Sequence, residues 1–283
     1  MCGDGANDCG ALKAAHAGIG EIFFIIYCLT LIYFIGIKLA LTDSEASVAS
    51  PFTSKEPSIA CVPELIRQGR CALVTSFGIF SYMAIYALIQ FFSVMILFEV
   101  GTNLSDFQFL YVDFFIICSL SAFFGQTQPY PGKLFKRPPM TSLLSPPPVG
   151  SLIIQATIIL LIQLTSLLVA QQQDWFVPYM NITNGTLGTE LSEYACTENY
   201  AVVGVSFSQY IFLALAYSKG KPYREIFLKN YWFTATLAVW TGFSLYLLIN
   251  PNEYFQELVE LEMPPLYFRF VIIGFSVIQV SFM

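Results

Sequence analysis

Six apolar stretches dominate the chain, near residues 72–98, 107–125, 149–171, 200–217, 231–249 and 267–283. Each carries few or no charges over a length close to the ~20 residues that a membrane-crossing helix needs. In hydrocarbon every backbone N–H and C=O must be paired within the segment, so such a run folds as an α-helix. The pattern predicts a mainly α, polytopic α-helical membrane domain. Composition agrees: 11% of the residues are charged, against about 25% in soluble domains.

The charges lie between the spans and give them a direction. Arg67 and Arg70 precede the first span. Residues 126–148 hold Lys133, Lys136 and Arg137 among many prolines, and 218–230 hold Lys219, Lys221, Arg224 and Lys229. Lys and Arg mark cytosolic loops. The other loops are acidic: 172–199, and 250–265 with Glu253, Glu257, Glu260 and Glu262 and no basic residue. The first of these carries two sequons, Asn181-Ile182-Thr183 and Asn184-Gly185-Thr186, which are glycosylated only on the luminal or outer side. A third sequon, Asn103-Leu104-Ser105, falls on that side, close to the membrane. Basic residues are too few and scattered for a nucleic-acid surface. The seven cysteines show no metal spacing and read as buried free thiols, and His16 stands without a catalytic partner.

Ahead of the spans lies a stretch of another kind, MCGDGANDCGALKAAHAGI, residues 1–19, expected in the cytosol. Gly3 and Gly5 flank Asp4 and suit a tight turn. Asp8 follows four residues later. Asn7 or Asp8 caps a short helix begun by Ala11, Leu12 and Lys13. A loop that presents carboxylates in this way suits Mg²⁺, which takes one or two carboxylates together with phosphate oxygens.

These residues resemble the hinge motif of the P-type ATPases, GDGxNDxxALK, at Gly3, Asp4, Gly5, Asn7, Asp8, Ala11, Leu12 and Lys13. With Cys9-Gly10 and Lys13-Ala14-Ala15-His16-Ala17-Gly18, the stretch is similar to the type V-B branch, the endolysosomal polyamine pumps. The run VPELIRQGRCALVTSF, from Val62, resembles the stalk entering that family's fifth membrane helix. The resemblance implies a C-terminal fragment holding a piece of the phosphorylation domain (1–19), a stalk (40–71) and membrane helices five to ten (72–283). It further implies that Asp4 binds Mg²⁺ directly, with Asp8 supporting. Asn7, Gly3, Gly5 and Lys13 would order the loop around phosphate. ATP and Mg²⁺ would be held mainly by domains outside this chain, which has no DKTGT or TGES motif and cannot turn over ATP alone.

Residues 20–39, GEIFFIIYCLTLIYFIGIKL, break the resemblance. Deleting them joins Ile19 to Ala40 and restores the family's register into EASVASPFTSK. They are therefore expected to be a translated intron, since Gly-Glu and Leu-Ala are compatible with splice-donor and splice-acceptor codons. A real extra membrane helix would instead put the hinge motif and the stalk on opposite sides of the bilayer.

The transport chemistry is expected in the first two spans. An intramembrane acid is expensive and is a functional candidate by default. Asp113 is one such acid. Asp106 lies seven residues earlier, two α-helical turns away, with Phe109 between them. In the preceding span Tyr82, Tyr86, Gln90 and Ser93 form one polar-aromatic stripe; interhelical hydrogen bonding would explain such a stripe equally well. Carboxylates give charge-assisted hydrogen bonds to ammonium groups, and Tyr and Phe faces add cation–π attraction. The candidate substrate site is Tyr86, Gln90, Phe109, Asp113 and Asp106. Its chemistry suits an organic polycation better than Ca²⁺, which wants six to eight oxygens. Residues Tyr86, Gln90 and Asp113 match polyamine-binding positions implied by the resemblance. The implied parent is an ATP-driven polyamine exporter of the lysosomal or late-endosomal membrane. Two alternatives stand beside it: an inactive truncated product that binds or regulates a full-length pump, and a type V-A helix dislocase.

Overall fold

The computed structural model describes residues 18–21, 38–41, 52–53, 61–179 and 195–282. Two units are distinguished. The first comprises residues 1–72 and 132–138, and the second 73–131 and 139–283.

Within the first unit, three short strands form a parallel sheet in the order β1 (Gly18–Glu21), β2 (Lys38–Leu41), β3 (Phe52–Thr53). Gly18 pairs with Lys38, and Leu39 with Phe52. Helix α1 (Cys61–Val100) begins in this unit. Pro63 sits in its first turn, where its missing N–H has no intrahelical acceptor to lose. Arg67 pairs with Glu64 and donates to the Gly132 carbonyl at 3.3 Å. Arg70 donates to the Phe135 carbonyl at 2.5 Å. With 40 residues, α1 is about 60 Å long at ~1.5 Å per residue, roughly twice the ~30 Å hydrocarbon core. The end of the stalk, from Cys61, and the first span are thus one continuous helix.

The second unit is a helical bundle. After α1 come α2 (Asp106–Leu110), a π-helical stretch (Tyr111–Cys118) and α3 (Ser119–Phe124), which together make one 19-residue crossing. Then follow α4 (Pro146–Gln171), α5 (Thr197–Tyr217), α6 (Tyr231–Ile249), the short α7 (Glu253–Val259) and α8 (Leu266–Phe282). Among the described residues, five helices are long and apolar enough to cross a membrane: α1, the α2–α3 segment, α4, α5 and α6. The sixth apolar stretch, expected as a full span, forms α8 of 17 residues, at the lower limit of ~17–25 for a crossing.

Helix α5 is the axis of the bundle. Of its most apolar window 78% is buried, against 22–39% in the other four spans. Small residues allow this. A Cβ at Gly204 would sit 3.0 Å from both Ile272 Cγ2 and Leu248 Cδ2, so α6 and α8 close directly on the α5 backbone.

The loops cluster by sign. At one end Tyr130 N–H donates to the Tyr223 carbonyl at 3.1 Å and Glu225 N–H to Gln128 at 2.9 Å, joining the two basic loops. Buried Arg224 reaches the Phe124 carbonyl at 2.8 Å and lies 4.8 Å from the centre of that ring. At the other end the Val259 carbonyl accepts from Gln108 Nε2 at 2.9 Å and Ser105 Oγ at 3.4 Å, while Asn199 Nδ2 donates to Asn103 O at 2.9 Å. The acidic loops thereby meet on one side, and the basic loops on the other. Such sorting requires the chain to cross between them repeatedly, as a multi-pass membrane protein does.

Candidate functional site

Helix α1 carries the polar-aromatic stripe into the bundle. Tyr82 and Ser93 are fully buried, while Tyr86 and Gln90 are half-buried between α1 and the neighbouring crossing. That crossing loosens at Tyr111–Cys118 into π-helix, and Asp113 is its third residue. π-Helical turns in longer helices are frequent at functional sites. Here the turn brings Asp113 against the stripe: Tyr86 Oη donates to Asp113 Oδ1 at 2.7 Å, and Gln90 Nε2 reaches the same oxygen at 3.4 Å. The carboxylate is exposed and keeps its second oxygen available. A carboxylate on a membrane-embedded face, oriented by a phenol and an amide, can take an ammonium group by a charge-assisted bond.

Tyr86 meets Tyr210 of α5 with ring centres 6.0 Å apart and tilted by 55°. Tyr210 and Gln90 both line a cavity of about 10 Å³ whose other walls include Ser93, Gln108, Phe109 and Ser206. Phe109, expected beside the acids, is here a wall of that cavity. Asp106 is not among the residues that line the cavity. Asp106 opens α2 after the N-cap Ser105 and is exposed. Its charge acts on Glu260, whose carboxyl is held above the usual range by burial first and by Asp106 second. Glu262 is raised likewise, by burial and then by Glu198. The structure therefore joins Tyr86, Gln90 and Asp113 by hydrogen bonds, with Phe109 lining the cavity beside Gln90, while Asp106 opens α2 and its charge acts on Glu260.

Gln108, Gln163, Ser206, Gln209 and Tyr210 escaped the sequence reading. Each is nearly or wholly buried: Gln108, Ser206 and Tyr210 line the cavity, and Gln163 and Gln209 lie behind Ser93 and Ser206. Their signal was weak but present: a lone amide in an apolar crossing must find a partner on another helix. The hinge-loop residues Gly3, Asp4, Gly5, Asn7, Asp8 and Lys13 and the sequons at Asn181 and Asn184 lie outside the described residues. So does most of 20–39. Among the described residues no group of three or more His, Cys, Asp or Glu is placed to hold a metal ion.

No protein-family model matches the chain. It is 42% identical over 278 residues to the probable cation-transporting ATPase catp-6 of Caenorhabditis elegans, an alignment that takes in 96% of the chain and 20% of the relative. To the polyamine-transporting ATPase 13A3 of Homo sapiens it is 38% identical over 285 residues, 95% of the chain and 22% of the relative. To the vacuolar cation-transporting ATPase YPK9 of Saccharomyces cerevisiae it is 38% identical over 262 residues, 92% and 16%. The chain thus spans about one fifth of the length of the curated relatives it matches. With such identity sustained over nearly its whole length, together with the hinge motif and the bundle, the chain belongs to the type 13A P-type ATPases, the type V-B branch.

Proposed function

We propose that this segment carries part of the cation-translocating path of an ATP-driven pump, with polyamines as substrate, in a lysosomal or late-endosomal membrane. The observation that carries this reading is the Tyr86–Asp113–Gln90 constellation: an acid inside a membrane crossing, oriented by a phenol and an amide beside an aromatic wall. A polyamine brings ammonium groups for the carboxylate and methylene groups for the aromatic faces. The names of the relatives support a cation or polyamine substrate, and the vacuolar yeast relative supports an organelle of that kind. The open face bearing Asp113 would be covered by parts of the pump outside this chain, since a carboxylate is not left to lipid.

In the same proposal Asp4 and Asp8 hold Mg²⁺ in the hinge loop beside the transferring phosphoryl group, where the ion offsets its charge. The phosphorylated Asp and the nucleotide site would be supplied from outside the chain. The test is ATP hydrolysis by the full-length gene product in liposomes. Stimulation by spermine or spermidine at micromolar to millimolar levels is expected. A protein that autophosphorylates from ATP yet responds to no polyamine overturns the substrate.

A further inference from the structure

The chain between α5 and α6 forms a ledge that the carboxylate site does not use. At its end, buried Asn230 caps α6: its Oδ1 accepts from Phe233 N–H at 3.1 Å, and its Nδ2 donates to Phe123 O at 2.7 Å and to Thr127 Oγ1 at 3.1 Å. Just ahead, Phe227–Lys229 make one turn of 3₁₀-helix, and Thr234 Oγ1 donates to the Phe227 carbonyl at 3.0 Å. Earlier in the ledge, Arg224 bonds to Phe124 O at 2.8 Å and Glu225 N–H to Gln128 O at 2.9 Å. The ledge is thus fastened twice to α3 and the residues that follow it.

Held in this way, it leaves large apolar side chains outside the protein. Ile226 and Leu228 are exposed, as are Tyr231 (81%) and Trp232 (67%). The Trp232 ring stacks on Phe123, with centres 6.1 Å apart and planes 18° apart. Depth in the membrane accounts for this exposure. Helix α6 has 19 residues, about 28 Å at ~1.5 Å per residue, and needs its whole length to cross a ~30 Å hydrocarbon core. Tyr231 and Trp232, in its first turn, then lie at the membrane–water boundary, where such rings are enriched. Ile226 and Leu228 come a few residues earlier, in the headgroup layer. From Trp232 the exposed positions Ala235 and Val239 continue one face of α6 into the hydrocarbon.

The same ledge is basic. Lys219, Lys221 and Lys229 are exposed. Lys229 pairs with Glu225 at 2.5 Å, and Lys221 lies 5.3 Å from the centre of the Tyr130 ring. Glu225 is the one acid in residues 218–230, and 126–148 contain none. Counting Arg224, four cations stand against one carboxylate on the side that the loop charges mark as cytosolic. A soluble anion would meet the lysines and leave the apolar row in water. A zwitterionic lipid would cover the apolar row and leave the excess charge. An anionic lipid does both.

We infer that this ledge is a binding site for an anionic phospholipid of the cytosolic leaflet. Its headgroup sits among Lys219, Lys221 and Lys229, and its acyl chains run along the Trp232–Ala235–Val239 face of α6. The inference does not depend on which cation the pump carries.

The test uses the delipidated full-length gene product in mild detergent, reading its melting temperature as phosphatidylserine or phosphatidylcholine of the same acyl chains is added to the micelles. The wild type should be stabilised at a much lower mole fraction of phosphatidylserine. A basic residue near an anionic surface contributes about fivefold in affinity, so Lys219 and Lys221 together make about 25-fold. Lys229, shared with Glu225, adds less. Lys219→Gln, Lys221→Gln and Lys229→Gln combined should therefore raise the half-saturating phosphatidylserine at least about 20-fold and leave phosphatidylcholine unchanged. The three Lys→Arg changes should preserve the response. Where the triple Gln variant fails to fold, Lys219→Gln and Lys221→Gln alone should each give about fivefold. A triple Gln variant with the wild-type response would place the lipid elsewhere and overturn the site. So would a wild type indifferent to the two lipids. Equal stabilisation by glycerophosphoserine, the same headgroup without acyl chains, would make the ledge a site for a free anion and overturn the lipid.

Discussion

Replacing Asp113 by asparagine isolates the charge on which the proposed transport rests. Asparagine keeps the shape of the side chain and an oxygen that can accept from Tyr86 Oη, now at 2.7 Å, and from Gln90. What is lost is the attraction between a carboxylate and an ammonium. At about 4 Å and an effective dielectric near 20 that attraction is about 4 kcal/mol. Roughly half of it is offset by desolvating the two ions, leaving about 2 kcal/mol, or about 30-fold in half-saturating polyamine. Tyr86→Phe removes a hydrogen bond to a charged group, generally worth about 1.5–3 kcal/mol. Because Asp113 is exposed in this segment, about 1 kcal/mol is expected, near fivefold. The two residues touch, so their effects should not add: Tyr86→Phe made in the Asp113→Asn background should change little.

The assay is polyamine-stimulated ATP hydrolysis by the full-length protein, with autophosphorylation from ATP measured alongside. Autophosphorylation without polyamine should survive all three variants. An unchanged half-saturation in Asp113→Asn would refute the electrostatic argument. Full additivity of the two substitutions would show that the Tyr86–Asp113 bond is not part of the site.

Four further outcomes are expected. Asn181→Gln together with Asn184→Gln should abolish the glycosidase-sensitive mobility shift of protein made in cells, whereas Asn103→Gln should not alter it; Ser105 of that sequon is buried, accepts from Gln108 N–H at 3.3 Å and donates to Val259 O. Gly204→Val should lower the melting temperature of the detergent-solubilised protein, since overpacking against Ile272 and Leu248 costs about 1–3 kcal/mol, while Gly242→Ala, whose Cβ meets nothing within 4 Å, should not. The raised carboxyls of Glu260 and Glu262 bind protons more tightly folded than unfolded. Their contribution to stability is therefore fully present below the unfolded carboxylate range and is lost as pH rises through the folded values. Hydrogen exchange of residues 250–265, corrected for intrinsic rates, should show more frequent opening at about pH 7.5 than at about pH 5, and Glu260→Gln with Glu262→Gln should remove the difference. Transcripts should lack the codons for residues 20–39; mature transcripts that retain them would make the segment genuine protein.

The apolar stretches revealed the bundle because membrane solvation acts on each segment alone. A run such as 149–171 must be helical whatever surrounds it. The sign of each loop is equally local, which is why charge alone sorted 126–148 with 218–230 before the Tyr130–Tyr223 and Glu225–Gln128 bonds were known. The π turn at Tyr111–Cys118 was not legible. It exchanges one hydrogen-bonding pattern for another within the same apolar sequence, and the reward, placing Asp113 on Tyr86, comes from another helix. The α7 turn was missed for a similar reason: Glu253–Val259 looks like an acidic loop until Ser105 and Gln108 hold its last carbonyl.

The candidate site divides along the same line. Asp113 announced itself, since a lone acid in a crossing has an energetic cost visible in the sequence. Gln163 and Gln209 carry no charge, and a single amide in an apolar helix is a small signal. What gives them meaning is a hydrogen-bonded cluster across α1, α4 and α5, which exists only once Ser93, Ser206 and Gln209 are brought within 3.0 Å or less of Gln163 Nε2. A charge can be read from one residue, but a hydrogen-bonded cluster is a property of an assembly. For this bundle the sequence therefore points to where a cation's charge would be met, and the packing shows which buried amides and hydroxyls stand behind that place.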